Sequence, residues 1–352
     1  MLLGNELLSL RLAHPFRRRW AAGIDVNANE VRLVVVSRRA RRTAPVGIEW
    51  LSAMPLPRKA MAGAQIVDRD AVSRAIAELF AAWPRRRVTG LLSCAMALPG
   101  SATIIDTIDL PPPFPCAGGA YLTAQEALDA MEPAVYAHAE RLAGLERQAL
   151  AADWFVEDAS LSCGPTSGSG AFRVSGAPRV TIAAAPRQHL EARVEVAAAA
   201  GIVLSDVDGE PPAALRALCY AAAHELQGNE RYAAVWGGDE GVYGWRIADD
   251  AIEACVRYPA PEHADLEAAL RALGDGEALD CVVAGGDLDR LAEDGMTLAD
   301  AGDLIGCAVL PFECAPFINE SARDVLARTA QEWLHAPTFA VAFGLALRGV
   351  RA

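Results

Sequence analysis

The feature that most constrains the fold of this chain is an opening pattern that occurs twice. Residues Gly23–Leu33 combine the start of a strand, a tight polar turn and a second strand, which is predicted over Val31–Val36. Residues Trp236–Trp245 repeat the pattern as a hairpin with paired glycines and an acidic tip. Helical and apolar segments follow each opening without a regular strand–helix alternation. The sequence therefore predicts an α/β protein with two lobes that begin alike.

Hydrophobic periodicity places further elements between these openings. Apolar residues at helical spacing predict a helix that begins after Asp68 or Asp70 and ends at Pro84. A continuous apolar run over Val88–Leu98 is typical of a central strand that is buried on both faces. Residues 101–185 are predicted to form a small module inserted in the first lobe. Its helical stretches are expected at Leu122–Met131 and Tyr136–Leu150, before a Gly/Ser/Pro-rich connector.

Charge and composition exclude several classes of protein. The formal net charge is −13, and Lys59 is the only lysine among 32 basic residues, which argues against nonspecific nucleic-acid binding. No stretch reaches the roughly 18 apolar residues of a membrane span. The eight cysteines form no Cys-x-x-Cys pair, and no histidine has metal-ligand spacing to another histidine or cysteine. Reduced, buried cysteines and no metal site are therefore expected.

The first twenty residues have two interpretations. They are either a lead-in to the first strand or a weakly amphipathic helix that lies on a membrane surface. The second interpretation would use Leu3, Leu7 and Leu10 on one face and Arg17–Arg19 for anionic lipid.

Three glycine- or turn-containing segments could approach phosphate groups: Gly23–Leu33, Trp236–Trp245 and Val282–Leu291. Each also has a purely structural interpretation, as a strand end, a hairpin turn and a helix start. None matches a P-loop, a dinucleotide-binding fingerprint or a nucleophile elbow, and no catalytic triad is assembled. The residues alone therefore predict no catalytic site.

The order of the motifs resembles the PilM family, which comprises actin-like cytoplasmic proteins of type IV pilus assembly, and more distantly the cell-division protein FtsA. The most specific motif is Val341–Gly349, and Val207–Leu218 matches a second family segment through Asp208, Glu210 and Arg216. The other matching segments are Gly23–Asn27, Arg32–Ser37, Pro55–Pro57, Leu98–Ser101, Ile104–Pro111 and Gly285–Gly286.

The resemblance implies a two-lobed actin-like ATPase fold with ribonuclease H-like lobes. The first lobe would comprise residues 20–100, continued at 186–228 and 320–352, and the second lobe residues 229–319. Residues 101–185 would be the inserted FtsA-like subdomain.

The family binds ATP between its lobes, so the resemblance also implies a nucleotide site with magnesium as a possible partner of the ATP. The implied nucleotide-binding residues are Asp25, Asn27, Ala28, Asn29, Arg32, Glu210, Gly237, Gly238, Asp239, Gly285, Gly286 and Asp287. Several positions depart from the family pattern. Asn27 to Asn29 replace the expected small residues, and Trp236 replaces a carboxylate unless Asp239 substitutes for it. Weak or absent ATP binding is therefore expected, with hydrolysis still less expected.

The resemblance further implies a partner. PilM-like proteins grip the N-terminal cytoplasmic tail of the inner-membrane protein PilN, as part of a platform that signals to the pilus motor ATPases. The implied tail groove lies between the first lobe and the insert, with Thr103, Ile104, Ile105, Ile108, Leu110 and Pro111. The chain would then be cytoplasmic and peripheral to the inner membrane through its partner.

Two other functions remain open. An active kinase or phosphohydrolase of the same superfamily should keep both phosphate-loop carboxylates, and Trp236 replaces one of them. The cytoplasmic part of a type II secretion platform protein is the other possibility. Such a chain would be expected to continue into a membrane span beyond Ala352.

Overall fold

The structure of the chain is a computed structural model. It describes residues 18–39, 44–84, 92–109, 122–156, 161–163, 171–174, 179–226, 230–249, 251–259, 266–275, 278–289 and 295–351. The helical face of residues 1–17, predicted as one alternative, lies outside these ranges. Arg18 and Arg19 belong to the first strand.

The strands, numbered in chain order, are β1 (Arg18–Val26), β2 (Glu30–Arg39), β3 (Gly47–Pro55), β4 (Met61–Ala62), β5 (Gln65–Ile66), β6 (Leu92–Leu98), β7 (Ile104–Asp109), β8 (Leu122–Thr123), β9 (Leu150–Val156), β10 (Leu161–Cys163), β11 (Ala171–Val174), β12 (Arg179–Pro186), β13 (Leu204–Gly209), β14 (Tyr232–Gly238), β15 (Gly241–Ala248), β16 (Ala251–Pro259), β17 (Cys281–Gly286) and β18 (Ala308–Pro311).

The helices are α1 (Arg69–Ala82), α2 (Ala124–Ala143), α3 (Arg187–Ala199), α4 (Glu210–Glu225), α5 (Leu266–Gly274), α6 (Leu298–Ile305), α7 (Glu320–Thr329), α8 (Gln331–Leu334) and α9 (Ala340–Arg351). Short 3-10 turns occupy Gly100–Ala102, Arg147–Ala149, Ala315–Phe317 and Pro337–Phe339.

Two five-stranded sheets have the same topology. In the first, with the order β13-β6-β1-β2-β3, the hairpin strands β1 to β3 are antiparallel, whereas β6 and β13 are parallel to their neighbours. In the second, with the order β16-β15-β14-β17-β18, β14 to β16 are antiparallel and β17 and β18 are parallel. The opening pattern that occurs twice in the sequence therefore begins two sheets of one design.

The described residues fall into two compact units. One unit comprises those of 1–99 and 193–352 and includes both five-stranded sheets, and the other comprises those of 100–192. The second unit contains two three-stranded sheets, with the orders β7-β12-β9 and β10-β11-β8. The lobe boundaries drawn from the sequence stay a prediction.

Local sequence explains where the elements of the first unit begin. The side chain of Asp68, rather than that of Asp70, caps α1 by accepting a hydrogen bond from the backbone N–H of Ala71 at 2.9 Å. Helix α4 carries Pro211 and Pro212 in its first turn, where their missing N–H groups leave no helical bond unmade.

Several predicted bounds were wrong. The sequence pattern indicated only the last residues of β1, from Gly23, because its Arg-Arg-Trp start does not show the β-branched run of β2. Residues 124–143 form one helix that continues through Pro133, where two helical stretches were predicted. The predicted Gly/Ser/Pro-rich connector begins at the last residue of β10 and contains β11. Of the strand predicted over Val88–Leu98, the structure describes Leu92–Leu98.

The two most informative motifs pack against each other. Helix α9, which contains the motif Val341–Gly349, contacts α4, β1, β6 and β2. A Cβ atom on Gly344 would collide with the carbonyl oxygen of Ala213, so only glycine allows the backbones of α9 and α4 to lie this close. The guanidinium of Arg216 donates to the Gly344 carbonyl at 2.9 Å and to Asp208 Oδ2 at 2.8 Å. These motif residues therefore build the contact between two buried helices.

Candidate functional site

A cavity of about 380 Å³ lies where the hairpin ends of the two large sheets meet α4. Eleven of the twelve predicted nucleotide-site residues line it, namely Asp25, Asn27, Ala28, Asn29, Arg32, Glu210, Gly237, Gly238, Asp239, Gly286 and Asp287. Seven further lining residues were not predicted from the sequence, namely Val26, Gly63, Pro99, Trp236, Glu240, Thr338 and Val341. We call this cavity the interlobe pocket.

Gly285 is the predicted residue that does not line the interlobe pocket. A Cβ atom there would lie 3.0 Å from a methyl group of Leu218 and 3.2 Å from Ala340. The glycine therefore allows β17 to pack closely against α4 and α9, which is the structural interpretation of this position. Its role in binding nucleotide stays a prediction.

The turn between β1 and β2 satisfies its own backbone. The side-chain oxygen Oδ1 of Asn27 accepts hydrogen bonds from the N–H groups of Asn29 at 2.9 Å and of Glu30 at 2.8 Å. The N–H of Asn27 in turn donates to the carbonyl of Glu30 at 3.1 Å. Asparagine commonly closes turns in this way, because its side chain reaches the backbone two residues further along.

A buried ion pair joins β1 and β2 directly behind that turn. Asp25 and Arg32 face each other in the antiparallel register, with Nη1 of Arg32 at 3.1 Å from Oδ2 of Asp25. The Nε of Arg32 also donates to Glu30 at 2.7 Å, and Nη1 donates to the carbonyl of Thr338 at 3.3 Å. The guanidinium thus contacts two carboxylates and one carbonyl.

Burial and charge act against each other in this pair. Burial raises the pKa of Asp25 above its usual value, although the adjacent Arg32 guanidinium opposes that shift. Burial lowers the pKa of Arg32, but the charges of Asp25 and Glu30 outweigh it and raise the pKa overall. Oδ1 of Asp25 is buried and has no hydrogen-bond partner among the described residues. The carboxylate is therefore poorly solvated and depends on Arg32.

The turn between β14 and β15 is closed differently. Gly238 pairs with Gly241, so Asp239 and Glu240 form a two-residue tip. The Trp236 indole lies against Gly238, where any Cβ atom would collide with the ring. The rings of Trp236 and Tyr243 have centroids 5.6 Å apart. An aromatic contact therefore stands where the family pattern would place a carboxylate.

Gly286, at the end of β17, allows a close backbone approach. Its φ of +91° is rarely adopted by residues with side chains, and a Cβ atom would collide with the carbonyl oxygen of Gly237. The N–H of Asp287 donates to that same carbonyl at 2.8 Å. The glycine is thus explained by the contact between β17 and β14.

The side chains around the interlobe pocket are predominantly acidic. Among the described residues of the lining, Arg32 is the one basic residue against five carboxylates, so their formal charge is 1 − 5 = −4. The acidic residues are Asp25, Glu210, Asp239, Glu240 and Asp287. Among the described residues, no group of three or more His, Cys, Asp or Glu side chains is arranged to hold a metal ion.

The predicted tail-groove residues are divided between two faces of β7, an edge strand of its three-stranded sheet. Ile104 and Ile108 pack against the buried core of the second unit. Ile105 is on the opposite face and is 49% exposed. Thr103 immediately precedes β7, and the last two predicted residues, Leu110 and Pro111, lie outside the described residues.

A second cavity lies beside this strand, within the second unit. It is lined by Ile108 and Asp109 of β7 and by four residues of α2, namely Ala134, Ala137, His138 and Arg141. Nε2 of His138 is 2.7 Å from Oδ2 of Asp106, which fixes the imidazole ring beside the cavity. Neither the sequence pattern nor the resemblance drew attention to this histidine.

The burial of the cysteines differs along the chain. Cys94, Cys281 and Cys314 are buried, and burial raises the thiol pKa of Cys94 to about 12 and that of Cys281 to about 11. Cys255 on β16 is exposed, so the expectation of buried cysteines was wrong at this position. Six cysteines are thiols that form no disulfide, namely Cys94, Cys219, Cys255, Cys281, Cys307 and Cys314.

Comparison with solved structures gives a match over almost the whole chain. A chain of a PilM–PilN type IV pilus biogenesis complex aligns with a TM-score of 0.66 and 20% identity, covering 94% of this chain and 99% of that one. The fold is actin-like, as predicted. At this level of identity, the likeness establishes the fold and leaves function to be argued separately.

Two other matches are much weaker. The cytoplasmic domain of EpsL, an inner-membrane component of the type II secretion system of Vibrio cholerae, has a TM-score of 0.39 and 12% identity. It covers 75% of this chain and 81% of its own. A protein of actin-like ATPase fold and unknown function from Bacteroides thetaiotaomicron has a TM-score of 0.41 and 8% identity. It covers 88% of this chain and 96% of its own. Similarity this weak decides nothing about function.

No family model matches the sequence, and no curated protein matches it either. Among the described residues, no helix is both long enough and apolar enough to cross a membrane.

Proposed function

We propose that this chain is a PilM-like component of a type IV pilus assembly platform, which binds the N-terminal cytoplasmic tail of a PilN-like inner-membrane protein. The observation that carries this proposal is the alignment over 94% of this chain and 99% of a chain of the PilM–PilN complex. Because the uncovered part is only 100 − 94 = 6%, the alignment must include most of the unit at residues 100–192.

The charge of the chain supports recruitment by a partner. A net charge of −13 opposes direct binding to anionic lipid, so a protein tail provides a better attachment to the inner membrane. We place the chain in the cytoplasm, peripheral to that membrane, in contact with other platform proteins and with the pilus motor ATPases.

We propose further that the chain does not turn over a phosphorylated substrate. Asp25 is buried and bonded to Arg32, so it is badly placed to take a proton from a water molecule or a hydroxyl group. Trp236 lines the interlobe pocket where a second phosphate-loop carboxylate would be expected. Purified protein should release phosphate from ATP no faster than a heat-inactivated sample. Saturable, magnesium-dependent release would favour the alternative of a kinase or phosphohydrolase.

Calorimetric titration with a peptide that copies the tail of the PilN-like protein tests the main proposal. Ile105 is the exposed apolar residue among the predicted groove residues that the structure describes, so Ile105→Asp should weaken binding by about tenfold or more. Ile252→Asp is the matched control. Ile252 also lies on an edge strand, β16, and is 55% exposed, but it belongs to the other unit.

The outcomes of this titration are distinct. Binding that is weakened by Ile105→Asp and unchanged by Ile252→Asp supports both the partner and its docking strand. Binding that is unaffected by either variant keeps the partner and overturns the assignment of β7. A wild-type protein that gives no heat with the peptide, while circular dichroism shows it folded, overturns the proposed function.

A further inference from the structure

The interlobe pocket does not fit the magnesium–ATP that the fold implies. A triphosphate at such a turn needs backbone N–H donors and a cation that are available to it. In the β1–β2 turn, the N–H groups of Asn29 and Glu30 are both bonded to the Asn27 side chain. The second turn presents two carboxylates at its tip, next to the indole of Trp236.

Arg32, the one cation that the structure describes in the pocket lining, already has three partners. Two of its three guanidinium nitrogen atoms, Nε and Nη1, contact Glu30, Asp25 and the carbonyl of Thr338 at 2.7 to 3.3 Å. Freeing the guanidinium for a phosphate would deprive the buried Asp25 carboxylate of the cation that contacts it. An incoming triphosphate would also face a lining with a formal charge of −4.

The third contact of Arg32 connects the two large sheets. Thr338 lies in the 3-10 turn Pro337–Phe339, directly before α9, and this turn contacts β17 of the second sheet. Arg32 itself lies on β2 of the first sheet. The partly buried guanidinium of Arg32 therefore joins the first sheet to a segment that packs against the second.

We propose that Arg32 takes the place of a bound nucleotide in this chain: it fixes the contact between the two large sheets without a ligand, and the pocket excludes nucleoside triphosphates. Arg32 is thus a positioning residue. This inference concerns the interlobe pocket alone and is independent of whether a partner tail binds.

Calorimetry of the wild-type chain with magnesium–ATP is the first test. We expect no saturable heat up to about 1 mM ATP and no shift in melting temperature. Saturable binding at or below that concentration overturns the exclusion of nucleotide. Because the tail titration is done without nucleotide, such a result would leave the proposed function intact.

Hydrogen exchange measured by mass spectrometry tests the bridging role. Arg32→Ala should raise amide exchange in Cys281–Gly286 and Pro337–Phe339 by about tenfold or more relative to wild type. Arg32→Lys, which keeps the charge but not the planar fork, should give an intermediate effect.

The matched control is Arg246→Ala. Arg246 is also a buried arginine that holds two backbone carbonyls, those of Leu273 at 3.1 Å and Asp275 at 2.9 Å, but it does not line the interlobe pocket. Its loss should destabilise the chain without a selective increase in exchange at Pro337–Phe339. Equal exchange at that turn in Arg32→Ala and wild type, or an equal increase in both alanine variants, overturns the bridging role.

Discussion

The β1–β2 and β14–β15 hairpins occupy corresponding places in two sheets of the same topology, yet they are held together by different chemistry. The first is closed by the Asn27 side chain and by the Asp25–Arg32 ion pair. The second is closed by a glycine pair and by the contact between Trp236 and Tyr243. The fold thus fixes where a hairpin ends, whereas the side chains decide whether its turn can accept a ligand.

This difference also separates geometry from chemistry at the interlobe pocket. Both turns reach the pocket, but one uses the N–H groups of Asn27, Asn29 and Glu30 in its own hydrogen bonds, and the other presents acids and an indole. The predictions that follow run from a substitution that should severely destabilise the chain to a labelling experiment that measures only the reactivity of cysteines.

The largest effect is expected where the paired strands β17 and β14 end, at Gly286 and Gly237. Gly286→Ala introduces a side chain at φ +91° that collides with the carbonyl of Gly237, and we expect a loss of about 4 kcal/mol in the free energy of unfolding. Gly237→Ala is the control, because its Cβ atom would lie 3.7 Å from the nearest oxygen, that of Asp287. It should change stability by about 1 kcal/mol or less. Urea denaturation measures both, and similar losses would contradict the close approach of Gly286 to the Gly237 carbonyl.

A smaller effect should distinguish the two asparagines of the first turn. Asn27→Ala removes the acceptor of two backbone N–H groups and should cost about 1 kcal/mol. Asn29 is exposed and contributes its backbone rather than its side chain to those bonds, so Asn29→Ala should cost less than about 0.5 kcal/mol. The same denaturation experiment compares them. Equal losses would show that the Asn27 side chain does not close the turn.

The burial of Asp25 should make the first hairpin sensitive to pH. The folded-state pKa of Asp25 lies above its ordinary value of 3.8, so the unfolded chain loses this proton first as the pH rises. The native chain therefore loses stability as the pH rises from about 4 towards the folded-state pKa. Asn cannot titrate, so the stability of Asp25→Asn relative to wild type should increase over that range. Denaturation curves at several pH values test this, and a difference that stays constant or falls would contradict the raised pKa.

The smallest expected effect is on the chemical reactivity of the cysteines. The experiment compares cysteines on buried strands of the two sheets with one on an edge strand. Alkylation by iodoacetamide at neutral pH should modify Cys255 before Cys94 or Cys281, whose raised pKa values leave little thiolate. Peptide mapping after brief labelling gives the order. Early modification of Cys94 would indicate that β6 opens readily.

Much of the fold could be predicted from the sequence, because the relevant patterns are local. The valine run of β2, the cap at Asp68 and the prolines at the start of α4 all act within a few residues of their positions. The bounds of β1 could not be predicted, since its first residues are Arg18, Arg19 and Trp20 and become a strand only by pairing with β2 and β6. The helix at residues 124–143 was divided in the prediction for a related reason, because Pro133 does not end it.

The candidate site also divides into features that the sequence predicted and features that depend on tertiary contacts. Eleven of the twelve residues named from motif order line one cavity, although they come from four separate segments of the chain. The motifs did not reveal that Thr338 would accept a hydrogen bond from Arg32, because the two residues are far apart in sequence and the bond uses a backbone carbonyl. They also gave no sign that Gly285 serves packing rather than the cavity wall.

The sequence by itself determined that two strand–turn–strand openings begin two lobes, and which residue types stand at each turn. Hydrophobic period and turn chemistry are local properties, so they can be read without knowing what lies across the cavity. Only the tertiary structure decided that the Asn27 side chain accepts hydrogen bonds from two N–H groups of its own turn. It also decided that Arg32 donates hydrogen bonds to Asp25, Glu30 and Thr338. Whether a polar group is free to bind depends on its neighbours in space, and burial makes those neighbours costly to exchange.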